Sequence, residues 1–203
     1  MRKRNDCYVM MDVEASGQRL GHHDMIQFGA TAAYGPKLET RVPFPVYRPR
    51  ADLPINLIAP LFGGEPEPGA MKVNKLPWDA VRLFGEPPAV WAARFHGWVA
   101  SLKAASGAEK VVLVGHGIVF DWAYVRLVYD HCRTDWPCHY SGLDAKSFWG
   151  GVRALEYIDS SMTDMRETFG LKENPNAHDA QADADFQLEL MIRAFVKSGI
   201  IEA

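Results

Sequence analysis

Cysteine is scarce in this chain. Its 203 residues include three, Cys7, Cys132 and Cys138, too few and too odd in number for the disulfide framework of a small secreted domain. Long hydrophobic runs are missing as well: no apolar stretch reaches the roughly 20 residues that a bilayer-spanning helix needs. Met1-Arg2-Lys3-Arg4 runs into Asn5-Asp6 without the apolar core of a secretory signal. A reducing, cytoplasmic location and no membrane partner are therefore expected. Positive charge is not in excess either. With 22 Lys and Arg against 25 Asp and Glu, the net charge is -3, which argues against a protein that coats nucleic acid by charge alone. An enzyme acting on a strand end is not excluded. Repeats, coiled-coil heptads and low-complexity tails are absent too, and a hydrophobic share of 48% with 23% charged residues is ordinary for a globular protein. The length suits one domain, 1–203, with a sizeable core.

What is present is an unusual disposition of acids. Met10-Met11-Asp12-Val13-Glu14-Ala15-Ser16-Gly17 sets two carboxylates two residues apart at the end of an apolar run. Side chains alternate along a strand, so Asp12 and Glu14 emerge on one face while Val13 turns inward. Two like charges held that close call for a cation between them, and a divalent ion that prefers oxygen ligands fits. Further acids follow. Lys110 to Gly115 reads as a short buried strand, and after it His116-Gly117-Ile118-Val119-Phe120-Asp121-Trp122 places Asp121 at the start of a helical pattern. Near the C-terminus, Asn176 to Asp185 leads into an amphipathic helix. His178 precedes or opens it, and Asp183 lies about one turn inside.

Strands are expected near 7–14, 25–34 and 38–47, the last two joined through Tyr34-Gly35-Pro36-Lys37. An irregular insertion rich in proline and glycine spans about 43–70, either a substrate-contacting loop or a plain surface excursion. Helices are expected over 89–102, 121–130, 161–169 and 180–197, with a short strand at 138–142. Strands first, then strands alternating with helices, indicate an α/β fold with a mixed β-sheet flanked by helices.

Asp12-x-Glu14, then Phe120-Asp121, then His178 five positions before Asp183, resemble in order and context the histidine-bearing (DEDDh) branch of the DEDD 3′–5′ exonucleases, which includes the polymerase proofreading exonuclease, ribonuclease T and oligoribonuclease. The resemblance covers most of the chain. It implies a ribonuclease H-like fold and a divalent-metal-dependent enzyme that hydrolyses phosphodiester bonds at the 3′ end of single-stranded RNA or DNA, releasing nucleoside 5′-monophosphates. It implies two Mg²⁺ ions, or Mn²⁺: Asp12 would bridge both, Glu14 and Asp183 would complete one, and Asp121 would hold the other. His178 would be the general base. A homodimer is allowed, as in several relatives.

Two departures concern substrate contacts. Gly117 follows His116 where the family often has Asn, and Ala15 follows Glu14 where it often has Thr. Substrate contacts are expected from Ala15, Ser16 and Gly17, whose backbone would approach the terminal nucleotide with Gly17 permitting close contact, and from His116. Trp122, like Trp78 and Phe62, would either stack on bases or pack in the core. Arg41, Arg48, Arg50, Lys72 and Lys75 would follow a phosphate backbone or stand as ordinary solvated charges. Asp144 and Asp179 read as helix caps, Asp185 as a surface residue and His22-His23 as a solvent loop. His131-Cys132 and Cys138-His139 match no common zinc spacing. Two rivals remain: an endonuclease of ribonuclease H type, which has no need of a histidine at this spacing, and a non-catalytic nucleic-acid-binding accessory protein, which would be expected to lack a ligand.

Overall fold

The computed structural model describes residues 6–202; the basic start at 1–5 lies outside them. Its sheet has five strands in the order β3-β2-β1-β4-β5, comprising β1 (Asp6–Ala15), β2 (Met25–Tyr34), β3 (Thr40–Pro43), β4 (Lys110–Gly115) and β5 (Leu143–Asp144). The first three form an antiparallel meander, whereas β4 and β5 add in parallel to β1. A parallel neighbour needs a crossover. Helix α3 (Pro88–Ser106) lies between β3 and β4 in the chain, following α1 (Pro68–Asn74) and α2 (Trp78–Phe84), and α4 (Val119–Cys132) lies between β4 and β5. Then come α5 (Ala145–Arg153), α6 (Met162–Thr168) and α7 (Ala180–Lys197).

The alternation of β1 divides the core. Cys7, Val9, Met11 and Val13 pack with Trp91, Phe95 and Val99 of α3 and with Tyr124, Val125 and Tyr129 of α4. Met10, with Tyr8 beside it, faces the other way and meets Leu188, Met191 and Phe195 of α7. Asp12 and Glu14 continue that second row, so the face that is core at Met10 becomes acidic two residues later. Helix α7 comes close to β2 at Gly29, where a Cβ would collide with the Ala180 carbonyl and the Gln181 nitrogen. Only glycine allows that approach.

Several boundaries differ from expectation. β3 stops at Pro43 instead of 47: prolines at 43 and 45 have no N–H to extend the ladder, and the chain turns so that the Phe44 N–H donates to the Ala30 carbonyl. The strand expected at 138–142 forms at Leu143–Asp144, paired with Val114 and Gly115, while Val111 receives only a single bond from the His139 N–H. Helices α1, α2 and α5 were not anticipated. Pro68 opens α1 at its first turn, a position where proline loses nothing, and α5 forms despite Gly150 and Gly151 because Asp144 caps it, accepting from the Ser147 N–H. Among the described residues no helix is long and apolar enough to cross a membrane.

Candidate active site

At the end of β1 the chain assembles its acids from three elements, β1, α4 and α7. The β1–β4 ladder pairs no residue of β1 beyond Met10, and the Val13 N–H donates instead to Asp121 Oδ1, 3.0 Å away. Asp121, in the first turn of α4, is thereby held against β1. Asp12 Oδ1 accepts from Gln187 Nε2 at 2.8 Å. Asp183 accepts from Asn174 Nδ2 through one oxygen and from the His178 N–H through the other, both at 2.7 Å. His178 has φ of 69°, a left-handed conformation that an L residue adopts at some cost. Asp179 follows as the α7 N-cap, accepting from the Ala182 N–H. The His178 ring is half exposed, with Nδ1 4.0 Å from Glu14 Oε1, and Glu14, His178 and Asp183 present ligand atoms that all lie within 4.8 Å of one another.

The electrostatics follow from this crowding. Burial, then the carboxylates of Asp121, Asp183 and Glu14, hold the Asp12 carboxyl well above its ordinary range, against the Gln187 hydrogen bond, which pulls it down. Glu14 is pushed up to about 8, by burial first and then by Asp183, Asp121 and Asp179. Burial pushes Asp121 up to about 7. Acids in this state release their protons when a cation replaces them. Four carboxylates are a donor set that suits a hard divalent ion, and the His178 imidazole stands beside them.

The expected substrate contacts fare unevenly. Ala15 and Gly17 line a groove of about 320 Å³ together with Glu14, Glu67, Val73 and Phe120. Ser16 is buried and its polar groups are spent locally: its N–H donates to the Asp24 carbonyl and its Oγ accepts from the Asp24 N–H. At Gly17 the close neighbour is the His23 ring, not an open site. His23 is itself buried and accepts from the Arg19 N–H, so His22-His23 is not simply a solvent loop. Among the described residues no hydrogen bond or ion pair joins the His116 ring to the four acids, and the carboxylate acting on it is Asp144. The His116 backbone N–H meets Gln187 Oε1, its ring Nε2 is buried without a partner, and burial lowers its pKa. Trp122 packs edge-on against Trp136 with its indole nitrogen buried, the core alternative of the two. Among the described residues no metal-competent group forms at His131, Cys132, Cys138 and His139.

Gln187 and Asn174 escaped the sequence reading, although each touches an acid of the cluster. A polar residue one turn beyond Asp183, among Leu188, Leu190 and Met191, was the available signal for Gln187. Asp24 also passed unnoticed. Its carboxylate gathers the N–H groups of Leu61, Phe62 and Gly63 and ties the irregular segment to the turn after β1.

A second groove of about 470 Å³ opens on the other side of α1, lined by Arg48, Ile55, Lys75, Asn176 and His178 among others. Asn74 lines both grooves. It is buried, donates to the Ala15 carbonyl and accepts from the Leu76 N–H, and so forms a fixed partition between them.

The chain matches no family model. It is 28% identical over 195 residues to a protein named 3′-5′ DNA exonuclease Cap18 from Escherichia coli, covering 94% of this chain and 92% of the relative. Its fold matches E. coli Exonuclease I solved with a dT13 oligonucleotide, at a TM-score of 0.73 and 19% identity over 96% of this chain; the chain spans 42% of that longer protein. It equally matches the nuclease domain of 3′hExo, described as a DEDDh family member and solved with rAMP, at a TM-score of 0.73 and 13% identity, covering 96% of this chain and 94% of the other. The ribonuclease H-like fold and the resemblance to DEDDh exonucleases read from the motifs are both borne out.

Proposed function

We propose that this homologue of DEDDh exonucleases is a divalent-metal-dependent 3′–5′ exonuclease, formed as one domain over 1–203, that releases nucleoside 5′-monophosphates from the 3′ end of a single strand. The observation that carries the reading is the convergence of Glu14, His178 and Asp183 donors within 4.8 Å, with Asp12 and Asp121 close enough to raise the charge cost of the same cluster. Asp12, Glu14, Asp121 and Asp183 would hold two Mg²⁺ or Mn²⁺ ions. When bound, these would neutralise charge on the phosphoryl oxygens and ease departure of the 3′ oxygen.

The protein's own groups do the rest. His178 takes the proton of the attacking water on a ring nitrogen, a role that suits imidazole because it exchanges protons near neutrality. The water oxygen bonds to phosphorus as the bond to the 3′ oxygen of the preceding nucleotide breaks, and that oxygen leaves with a proton from solvent. The groove beside Glu14 and Phe120 takes the terminal nucleoside, with Phe120 and Val73 offering apolar contact to a base. His178 favours this reading over an endonuclease of ribonuclease H type. Free thiols at Cys7, Cys132 and Cys138 suit a reducing, cytoplasmic setting.

The named relative is a DNA exonuclease, so single-stranded DNA is the first substrate to test, with RNA beside it. Labelled at the 5′ end and incubated with Mg²⁺, Mn²⁺ or chelator, a linear oligomer should shorten stepwise from its 3′ end in either metal and stay intact in chelator. A closed circular strand should survive. Cleavage of the circle, or no hydrolysis of any linear strand, would defeat the proposal.

A further inference from the structure

The two grooves that meet at Asn74 differ in charge. The one beside Phe120 contains Glu14 and Glu67 and no Lys or Arg. The one beside His178 contains Arg48 and Lys75 and one acid, Asp179, whose carboxylate is already engaged by the Ala182 N–H and Gln27 Nε2. Of the five basic residues singled out in the sequence, Arg41 is paired with Glu189 and Arg50 with Asp52. Lys72 lines neither groove. Arg48 and Lys75 remain: both are exposed, and neither forms an ion pair among the described residues. Among the described residues the Arg48 side chain makes one hydrogen bond, a long one to the Ala51 carbonyl at 3.4 Å.

The backbone prepares this arrangement. Lys75 follows the last residue of α1 in a left-handed conformation, φ 56°, with its N–H bound to the Met71 carbonyl. The helix stops there and the chain turns out into the groove. The same groove is lined by Leu53, Pro54, Ile55 and Leu76, an apolar surface against which bases can lie.

We propose that this groove carries the phosphodiester backbone of the nucleotides upstream of the cleaved bond, with Arg48 and Lys75 each contacting a phosphate. The assignment rests on the exonuclease reading above and adds the path of the strand to it. Cations unpaired in the free protein are available to replace the counterions of a polyanion, which is the dominant source of affinity for nucleic acid. The same asymmetry accounts for end dependence. A strand continuing past the terminal nucleoside would bring its next phosphate toward Glu67 in a groove lined by no Lys or Arg, whereas a 3′-hydroxyl brings no charge.

The test is equilibrium binding of a 5′-fluorescent single-stranded oligomer to the full chain in chelator, across a salt series, so that turnover is not required. Arg48→Ala/Lys75→Ala is compared with the wild type and with Arg82→Ala/Lys197→Ala, which removes equal charge away from both grooves. The Arg48/Lys75 variant should bind about 10-fold more weakly at low salt. Its log–log salt slope should be shallower by about 1.4, from roughly 0.7 per lost phosphate contact on a single strand. The charge reversal Arg48→Glu/Lys75→Glu should weaken binding further, and the Arg82/Lys197 variant should keep the wild-type slope. An unchanged slope in the Arg48/Lys75 variant, or an equal loss in the Arg82/Lys197 variant, overturns the proposed path. A parallel assay with the p-nitrophenyl ester of thymidine 5′-monophosphate, which has no upstream nucleotide, separates the two claims: if the wild type with Mn²⁺ leaves it intact together with every oligomer, the exonuclease reading fails, while the binding comparison still decides the path of the strand.

Discussion

Glu14→Gln keeps the shape of one cluster member and removes its charge. The Glu14 carboxyl is pushed from 4.5 up to about 8, and its side chain is only 13% exposed, so solvent screens the effect little. A carboxyl with a higher pKa folded than unfolded holds its proton more tightly in the fold. Its stabilising contribution is whole below about 4.5 and is lost as pH rises through about 8. At about 1.4 kcal/mol per pKa unit, the metal-free wild type should lose roughly 2 kcal/mol through this group between about pH 6 and about pH 8. The variant lacks that slope. Asp12 and Asp121 titrate in both proteins, so the difference between the two reports Glu14 together with its coupling to Asp12.

Urea unfolding in chelator at the two pH values measures this directly, since the midpoint moves with stability at constant slope. The advantage of Glu14→Gln over wild type should grow by about 2 kcal/mol from the lower pH to the higher. Mg²⁺ should then reverse the order, because a cation stabilises the ionised wild-type cluster by mass action and has lost a ligand in the variant. Parallel pH dependences in chelator would mean that Glu14 does not feel its neighbours, and the account of a charge-strained site awaiting cations would be wrong.

Three further substitutions probe other parts of the site. His178→Ala should lower turnover by about 10²-fold or more while leaving metal and oligomer binding near wild type; single-turnover kinetics beside a metal titration would show it, and unchanged turnover would remove His178 from the mechanism. Gln187→Leu replaces a buried amide by an apolar side chain of similar size and frees Asp12 Oδ1, so the metal concentration for half-maximal activity should rise about 10-fold, as when a group orienting a metal ligand is lost, with little change in melting temperature. Gly29→Ala should cost about 3 kcal/mol in urea unfolding, because its Cβ would meet the Ala180 backbone, and activity should fall with it as α7 lifts Asp183 away from β1.

The regular parts of this molecule were legible because one periodicity governed each. β2 and α7 lie over 25–34 and 180–197 as their apolar patterns indicate, and β4 occupies 110–115. Where several weak signals competed, the reading failed. Gly150 and Gly151 hide α5, since the cap that rescues it, Asp144, is also committed to the Gly117 N–H across the sheet. The short helices α1 and α2 carry too few turns for a period to show, and proline content dominates their neighbourhood. β5 depends on where β4 ends, which no property of residues 138–144 reveals.

The acids were legible for a related reason: they continue patterns that already build the core. On β1 the row facing α7 runs Tyr8, Met10, Asp12, Glu14, so a single alternation specifies both the packing of α7 and the carboxylates at its mouth. The partners that fix those carboxylates obey no such period. Gln187 reaches Asp12 across 175 positions, and Asp24 gathers amides from 37 to 39 positions away. Each contact exists only after the sheet has formed. Ser16 and Gly17 show the consequence: their composition suggests backbone offered to a ligand, yet Asp24 has taken up Ser16 polar groups and the His23 ring fills the space where a Gly17 side chain would stand. Gly17 lines the groove with Ala15, Val73 and Phe120, while Ser16 does not. Groups that do chemistry can therefore be named from local spacing, whereas groups that hold them in place emerge only from the tertiary fold.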